Sequence, residues 1–127
     1  MGPTLTIDGN NFFDFEGFVR EFNPAVFGDD RTWMGGFGAL NDLLRGGYGT
    51  PEGPYIIEWL NAHKSREDLG KDATLKWLEA RKDRVHPTNR EHWAMQIELM
   101  KHNTGETLFM MIVDIIVSHE NITLILA

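Results

Sequence analysis

The run Ile122-Thr123-Leu124-Ile125-Leu126 is nearly continuous in apolar residues. A strand with one wet face alternates apolar and polar residues. A run without that alternation reads as a strand covered on both faces, the situation of parallel sheets. Two earlier segments also read as strands. Thr4-Leu5-Thr6-Ile7 alternates and is closed by an Asp8-Gly9 turn, and Tyr55-Ile56-Ile57-Glu58-Trp59 is rich in β-branched and aromatic residues. Helical patterns fill both intervals between them. Strand, helices, strand, helices, strand is an α/β order.

The first interval opens at Asp14, a good N-cap, before Phe15, Phe18, Val19 and Phe22 at helical spacing, and Asn23-Pro24 ends that helix. A glycine-rich connection leads to a second helix with Phe37, Leu40, Leu43 and Leu44 on one face, stopped by Gly46. In the second interval, Ser65-Arg66-Glu67-Asp68 predicts a helix start. A stripe of Leu75, Leu78 and Val85 follows and is closed by His86-Pro87. Thr88-Asn89-Arg90-Glu91 reads as a capping box before Trp93, Ile97 and Met100. A last helix, after Asn103-Thr104-Gly105, carries Leu108, Met111, Ile112 and Ile115. Core packing is the reading for Trp77 and Trp93.

At 127 residues, residues 1–127 form one domain with room for a hydrophobic core. No apolar run is long enough to span a membrane, and MGPTLTIDG lacks a basic region followed by an apolar one, so no signal peptide is expected. Cysteine is absent, which excludes disulfides and thiolate chemistry and fits a cytoplasmic address. A net charge of −7 argues against nucleic acid as a partner and is compatible with a basic protein. The charge is unevenly spread: residues 60–102 carry nine bases and seven acids, whereas residues 1–59 carry three bases and nine acids. The middle segment therefore reads as a helical insertion between acidic flanks.

Trp33 to Gly47, WMGGFGALNDLLRGG, places five glycines around a short helix that holds one carboxylate, Asp42. Glycine lets a backbone lie close to another surface. Gly35, Gly36 and Gly38 thus permit a flat loop, with Asp42 one turn into the helix and off its apolar stripe. Spacing alone reads Asp42 as part of a solvated helix face. The residues around it say more. Ala39-Leu40-Asn41-Asp42-Leu43-Leu44-Arg45-Gly46 resembles the D-A-L-x-D-x-L-x-G signature of the barstar family, small intracellular inhibitors of secreted ribonucleases. Leu5 to Gly9, Ile56-Ile57-Glu58-Trp59 and Ile122-Thr123-Leu124-Ile125-Leu126 resemble that family's three strands, in the same order.

The resemblance implies a small three-stranded parallel sheet packed with helices, with 60–102 as an insertion before the last helix. It also implies a protein, monomeric until bound, that occupies the active site of a basic ribonuclease or related toxin. Asp42 matches the family aspartate that stands in for a substrate phosphate, and Asp114 falls where a second interface acid is supplied by the last helix. Trp33, Gly35, Gly36, Phe37, Gly38, Asn41 and Gly46 complete the expected partner-binding set. Gly36 and Gly38 replace the Asn and Asp of the family's lead-in, Asn41 stands where the founding member has tryptophan, and Gly28-Asp29-Asp30-Arg31 is differently spaced. No cofactor or metal is expected, since His63, His86, His92, His102 and His119 occur singly without ligand spacing. Two other readings stay open. One is an interaction module on the same fold, and the other a hydrolase using Asp42, Asp114 and Glu58 as paired carboxylates. Trp33 itself reads equally as an interface anchor or as a residue closing over the core.

Overall fold

The computed structural model describes residues 2–28 and 32–127. Gly28 is described, but the sequence reading of Asp29, Asp30 and Arg31 lies outside these residues. Strands β1 (Thr4–Asp8), β2 (Tyr55–Leu60) and β3 (Ile122–Leu126) form one parallel sheet in the order β1-β2-β3. Helices α1 (Phe15–Phe22) and α2 (Phe37–Leu44) connect the first two strands. Helices α3 (Ala62–Asp68), α4 (Lys71–Arg81), α5 (Arg90–Lys101) and α6 (Leu108–Val117) connect the second and third.

Both crossovers step in the same direction across the sheet. Right-handed connections taken twice in one direction land on the same face. The burial pattern is that of a sheet covered on one side. Tyr55, Ile57 and Trp59 of β2 are buried, whereas Ile56, Glu58 and Leu60 are only partly so. Register aligns Thr6, Glu58 and Ile125 on the open face and Leu5, Ile57 and Leu124 on the covered one. The expectation for β3 is therefore corrected. Only Ile122 of that strand is buried, and Ile125 is 41% exposed. Its unbroken apolar character does not come from burial on two faces.

The core beneath the sheet is largely aromatic. Phe18 stacks on Trp59 with ring centroids 5.2 Å apart, and Trp59 meets Phe109 at 5.0 Å. Asp14 caps α1 as expected, its Oδ1 accepting from the Gly17 amide at 2.8 Å. Asn23-Pro24 ends the α-helical bonding there, but the chain continues as a π-helical turn over Asn23–Phe27, burying Val26 and Phe27. Helix α3 begins before Ser65, behind Asn61 in the left-handed region at φ 54°. Ser65 is thus inside the helix and buried, where its Oγ accepts from Trp59 Nε1 at 2.9 Å. The expected capping box does not form. Asn89 precedes α5 without a side-chain cap, and His86 Nδ1 instead accepts from the Thr88 amide. Helix α6 buries Leu108, Phe109, Ile112 and Ile116, a face rotated from the expected one.

The middle segment is helical but is not set apart from the rest. Ala62 and Leu69 belong to the main core, while Leu78, Ile97 and Met100 are buried between α4 and α5. Thr74 ties this hairpin to α6. Its Oγ1 donates to Gly70 O at 2.7 Å and accepts from the buried Leu108 amide at 2.8 Å. Replacing that hydroxyl with a methyl strands a buried donor, a loss of about 1–3 kcal/mol. Thr74→Val is accordingly expected to lower unfolding free energy by that amount in denaturant titration, whereas Thr74→Ser stays close to wild type.

Candidate functional site

The stretch from Trp33 to Gly46 is positioned from beneath by Asn23. Its Oδ1 accepts from the Trp33 amide at 2.6 Å, and its Nδ2 donates to Trp33 O at 2.8 Å. These bonds turn the indole inward. Trp33 is 1% exposed, packs on Phe18 and Phe22, and donates from Nε1 to Gly36 O at 2.7 Å. As an interface anchor Trp33 is thus corrected: its ring closes over the core and offers no surface. Gly35 is corrected with it, being buried at φ 102°, where an added Cβ would lie 3.2 Å from the Phe15 ring.

Gly36 and Gly38 are different. Both are exposed and neither has positive φ, and an added Cβ would meet only Ala39 Cβ at 4.0 Å from Gly36 and nothing within 4 Å from Gly38. Packing and backbone conformation therefore leave both positions open to a side chain. Glycine inside a helix costs roughly 0.5–1 kcal/mol relative to alanine. Gly38→Ala is expected to stabilise the isolated protein by a few tenths to about 1 kcal/mol, and Gly35→Ala to destabilise it. Thermal and denaturant melts of the two variants check this contrast. Phe37 is half-buried and contacts Phe15 and Trp77, with centroids 5.8 and 5.2 Å away. Gly46 follows the helix at φ 116°, a conformation suited to glycine.

Asp42 stands on the outer face of α2, with its side chain 70% exposed and 3.5 Å from the Arg45 guanidinium. An exposed pair of this kind holds its partners weakly. One residue earlier, Asn41 Oδ1 is 2.9 Å from His119 Nε2, just beyond α6. Burial and the nearby Arg45 charge lower the His119 pKa. Helix α6 packs along α2 and carries Asp114, which is also exposed. Asp114 is hydrogen-bonded to the carboxyl of Glu106, and that contact, with some desolvation and the Asp114 charge, raises the Glu106 pKa. Sequence reading did not single out Glu106, because nothing in its local pattern foretells a neighbour on the next helix. Glu58 sits on the open face of the sheet, on the side away from the helices. The three carboxylates of a hydrolase reading are therefore not brought together.

The glycine-rich end of α2 also borders the middle segment. A groove of about 660 Å³ is lined by Gly36, Phe37 and Gly38 on one side and by Trp77, Arg81 and Trp93 on the other. The insertion read over residues 60–102 therefore packs against the start of α2. Among the described residues no three histidine, aspartate or glutamate side chains converge to hold a metal ion, and no helix is long and apolar enough to cross a membrane. No protein-family model matches the chain, and neither a curated protein nor a solved structure does.

The raised Glu106 pKa fixes the sign of a pH effect. A carboxyl that binds its proton more tightly when folded contributes stability below its unfolded pKa and loses it as pH rises through the folded value. Glu106→Gln removes that loss while keeping a group that can hydrogen-bond Asp114. Its stability relative to wild type is expected to increase as pH rises through and above the ordinary carboxylate range, read from denaturant melts at each pH.

Proposed function

We propose that the chain is a barstar-like inhibitor or immunity protein that binds and blocks the active site of a basic ribonuclease or related toxin. The observation that carries this reading is the placement of Asp42. It is an exposed carboxylate on the outer face of a helix whose Leu40, Leu43 and Leu44 lie in the main core and which packs against α6. Only a solvent-exposed arginine pairs with it among the described residues, so a cationic cleft has little to displace. Carboxylates offered to clustered Arg, Lys and His form charge-assisted hydrogen bonds, and the net charge of −7 steers a basic partner inward. Gly36 and Gly38 fit this reading as positions where the absence of a side chain serves an approaching surface. Asp114 on the adjacent helix supplies a second acid. The protein acts inside the cell as a monomer until it meets its target, and turns over no RNA itself.

Trp33 has no place in this surface, and Asn41, Phe37 and the exposed glycines take the positions around Asp42. An interaction module on the same fold would use the same face with a different partner. The discriminating experiment captures basic ribonucleases from the source cell, measures inhibition of their activity, and titrates them calorimetrically with wild-type and variant protein. Asp42→Ala is expected to weaken binding by on the order of 2–5 kcal/mol, because it leaves desolvated partner cations unpaired. Asp114→Ala costs less, since Asp114 is held by Glu106, and neither variant shifts the melting temperature appreciably. An Asp42→Ala protein that folds normally and binds as tightly as wild type ends the proposal.

A further inference from the structure

Helix α4 has two faces to satisfy. One buries Thr74 and Leu78 against α6 and α5. On the other, Ala73, Lys76, Trp77, Ala80 and Arg81 recur at i, i+3, i+4, i+7 and i+8. That second face meets Phe15 and Val19 of α1 across an open groove of about 540 Å³. Phe15 and Trp77 form an aromatic floor, with ring centroids 6.3 Å apart. The small side chains of Ala73 and Ala80 leave space above it. Met34 also lines the groove and is 82% exposed. Its neighbours are pinned on both sides, Trp33 by the two bonds from Asn23 and Gly35 by its burial against Phe15. The loop thus holds a large apolar side chain out in water, of a type that adaptable binding surfaces use repeatedly.

The charges around this floor are sorted. Arg20 stands on the α1 wall, Lys76 and Arg81 on the α4 wall, and none of them forms an ion pair among the described residues. Arg81 lies over the Trp77 ring, 5.0 Å from its centroid. The two acids of the groove, Asp14 and Glu16, are the N-cap and a first-turn residue of α1, where the helix start answers negative charge. The three cations have no such answer. Lys76 and Arg81 belong to the basic excess of residues 60–102, which the placement of Asp42 leaves without a use. The net charge of −7 does not cancel them, because at physiological salt exposed charges more than about 8 Å away are largely screened.

Cations on both walls of an apolar seam select the shape of what binds there. A single-headed amphiphile answers one wall only. An amphipathic helix with acids on both borders of its apolar stripe answers both, while the stripe covers the floor. The groove also runs on past Trp77 and Arg81, which line the groove beside α2 as well, and such continuity suits a peptide segment better than a compact ligand. We propose that the seam between α1 and α4 binds an acidic amphipathic helix of a partner protein, with its apolar stripe on Phe15, Trp77 and Met34 and its carboxylates beside Arg20, Lys76 and Arg81. Asp42 does not line this groove, so the site does not rest on the inhibitor reading.

The test titrates isotope-labelled full-length protein with a helical peptide of about five turns whose leucine stripe is bordered on both sides by glutamate. A control peptide carries lysine in place of every glutamate. Calorimetry is expected to show binding of the glutamate peptide that weakens with added salt, and binding of the lysine peptide at least about tenfold weaker. NMR is expected to place the shifts at the Trp77 ring and at the Met34 and Ala80 methyls, leaving the core Trp59 indole unmoved. Two variants change exposed positions of the groove. Ala80→Glu puts bulk and a carboxylate over the floor, and Arg20→Glu combined with Lys76→Glu reverses one cation on each wall. Each should weaken the glutamate peptide at least about tenfold with little change in melting temperature, while Asp42→Ala binds it as wild type does. The proposal is overturned if the glutamate peptide does not bind, if the lysine peptide binds as tightly, if the shifts map elsewhere, or if either folded groove variant binds unchanged. Loss of binding in Asp42→Ala moves the site to the inhibitor face and overturns it equally. So does decanoate that displaces the peptide, which gives the groove to a small amphiphile, or a dimer in sedimentation that Ala80→Glu dissociates, which gives it to a second copy.

Discussion

Everything in this fold hangs on a sheet that is covered on one side only. Alternate residues of β2 are buried and the others are not, as expected when both crossovers step in the same direction and lay the helices on a single face. Those helices must therefore fill one layer, and that layer is built from large rings. Phe18, Phe22, Trp33, Trp59 and Phe109 are all buried, and several meet edge to face or stacked. Aromatic side chains bury more area per residue than aliphatic ones and hold preferred angles. A small sheet with one covered face needs such residues to reach an adequate core.

The same one-sidedness gathers the chemistry. With every helix on one layer, α2 is flanked by α6 along its length and meets the α4–α5 hairpin at its N-terminal end. Asp42 projects outward beside α6, while Gly36 and Gly38 look toward Trp77 and Arg81. One short helix thus presents an acidic outer face and an electropositive start. The separation follows from helix geometry: partial positive charge concentrates at the N-terminal amides, whereas Asp42 sits beyond the first turn. Opposite charges can therefore be recruited within a few residues of each other without competing for the same ligand.

Local signals were legible wherever the physics was local. The Asp14 cap, the apolar face of α2 and the three strand positions were readable because each depends on residues within one or two turns. Some failures come from partners distant along the chain, and others from a neighbouring residue that competes for the same backbone group or conformation. Trp33 looked like a loop aromatic, and its inward turn depends on Asn23, ten residues upstream. Ser65 has the look of a helix start, but Asn61 adopts a left-handed conformation that lets α3 follow β2 directly. The Thr88–Glu91 pattern had the right residues for a capping box, but His86 took the Thr88 amide first. The continuous apolar character of β3 suggests burial on two faces, but the second face is open and Thr123 and Ile125 are exposed. Asp114 of α6 meets Glu106 in the loop before that helix, and Trp77 of α4 approaches Phe37 of α2, contacts that no single-segment pattern encodes.

The β2–β3 ladder has a kinetic meaning. Ile56 pairs with Thr123 only after α3, α4, α5 and α6 have been placed between them, and β1 pairs with β2 across α1 and α2. Both ladders close long loops, whose entropy is lost before their contacts are gained, and such non-local parallel pairing makes for slow folding. The α4–α5 hairpin, by contrast, packs residues near one another in sequence and can form early. Until the ladder closes, the uncharged strand from Ile122 to Leu126 has no partner, so the folding chain carries its most aggregation-prone segment exposed for the longest time.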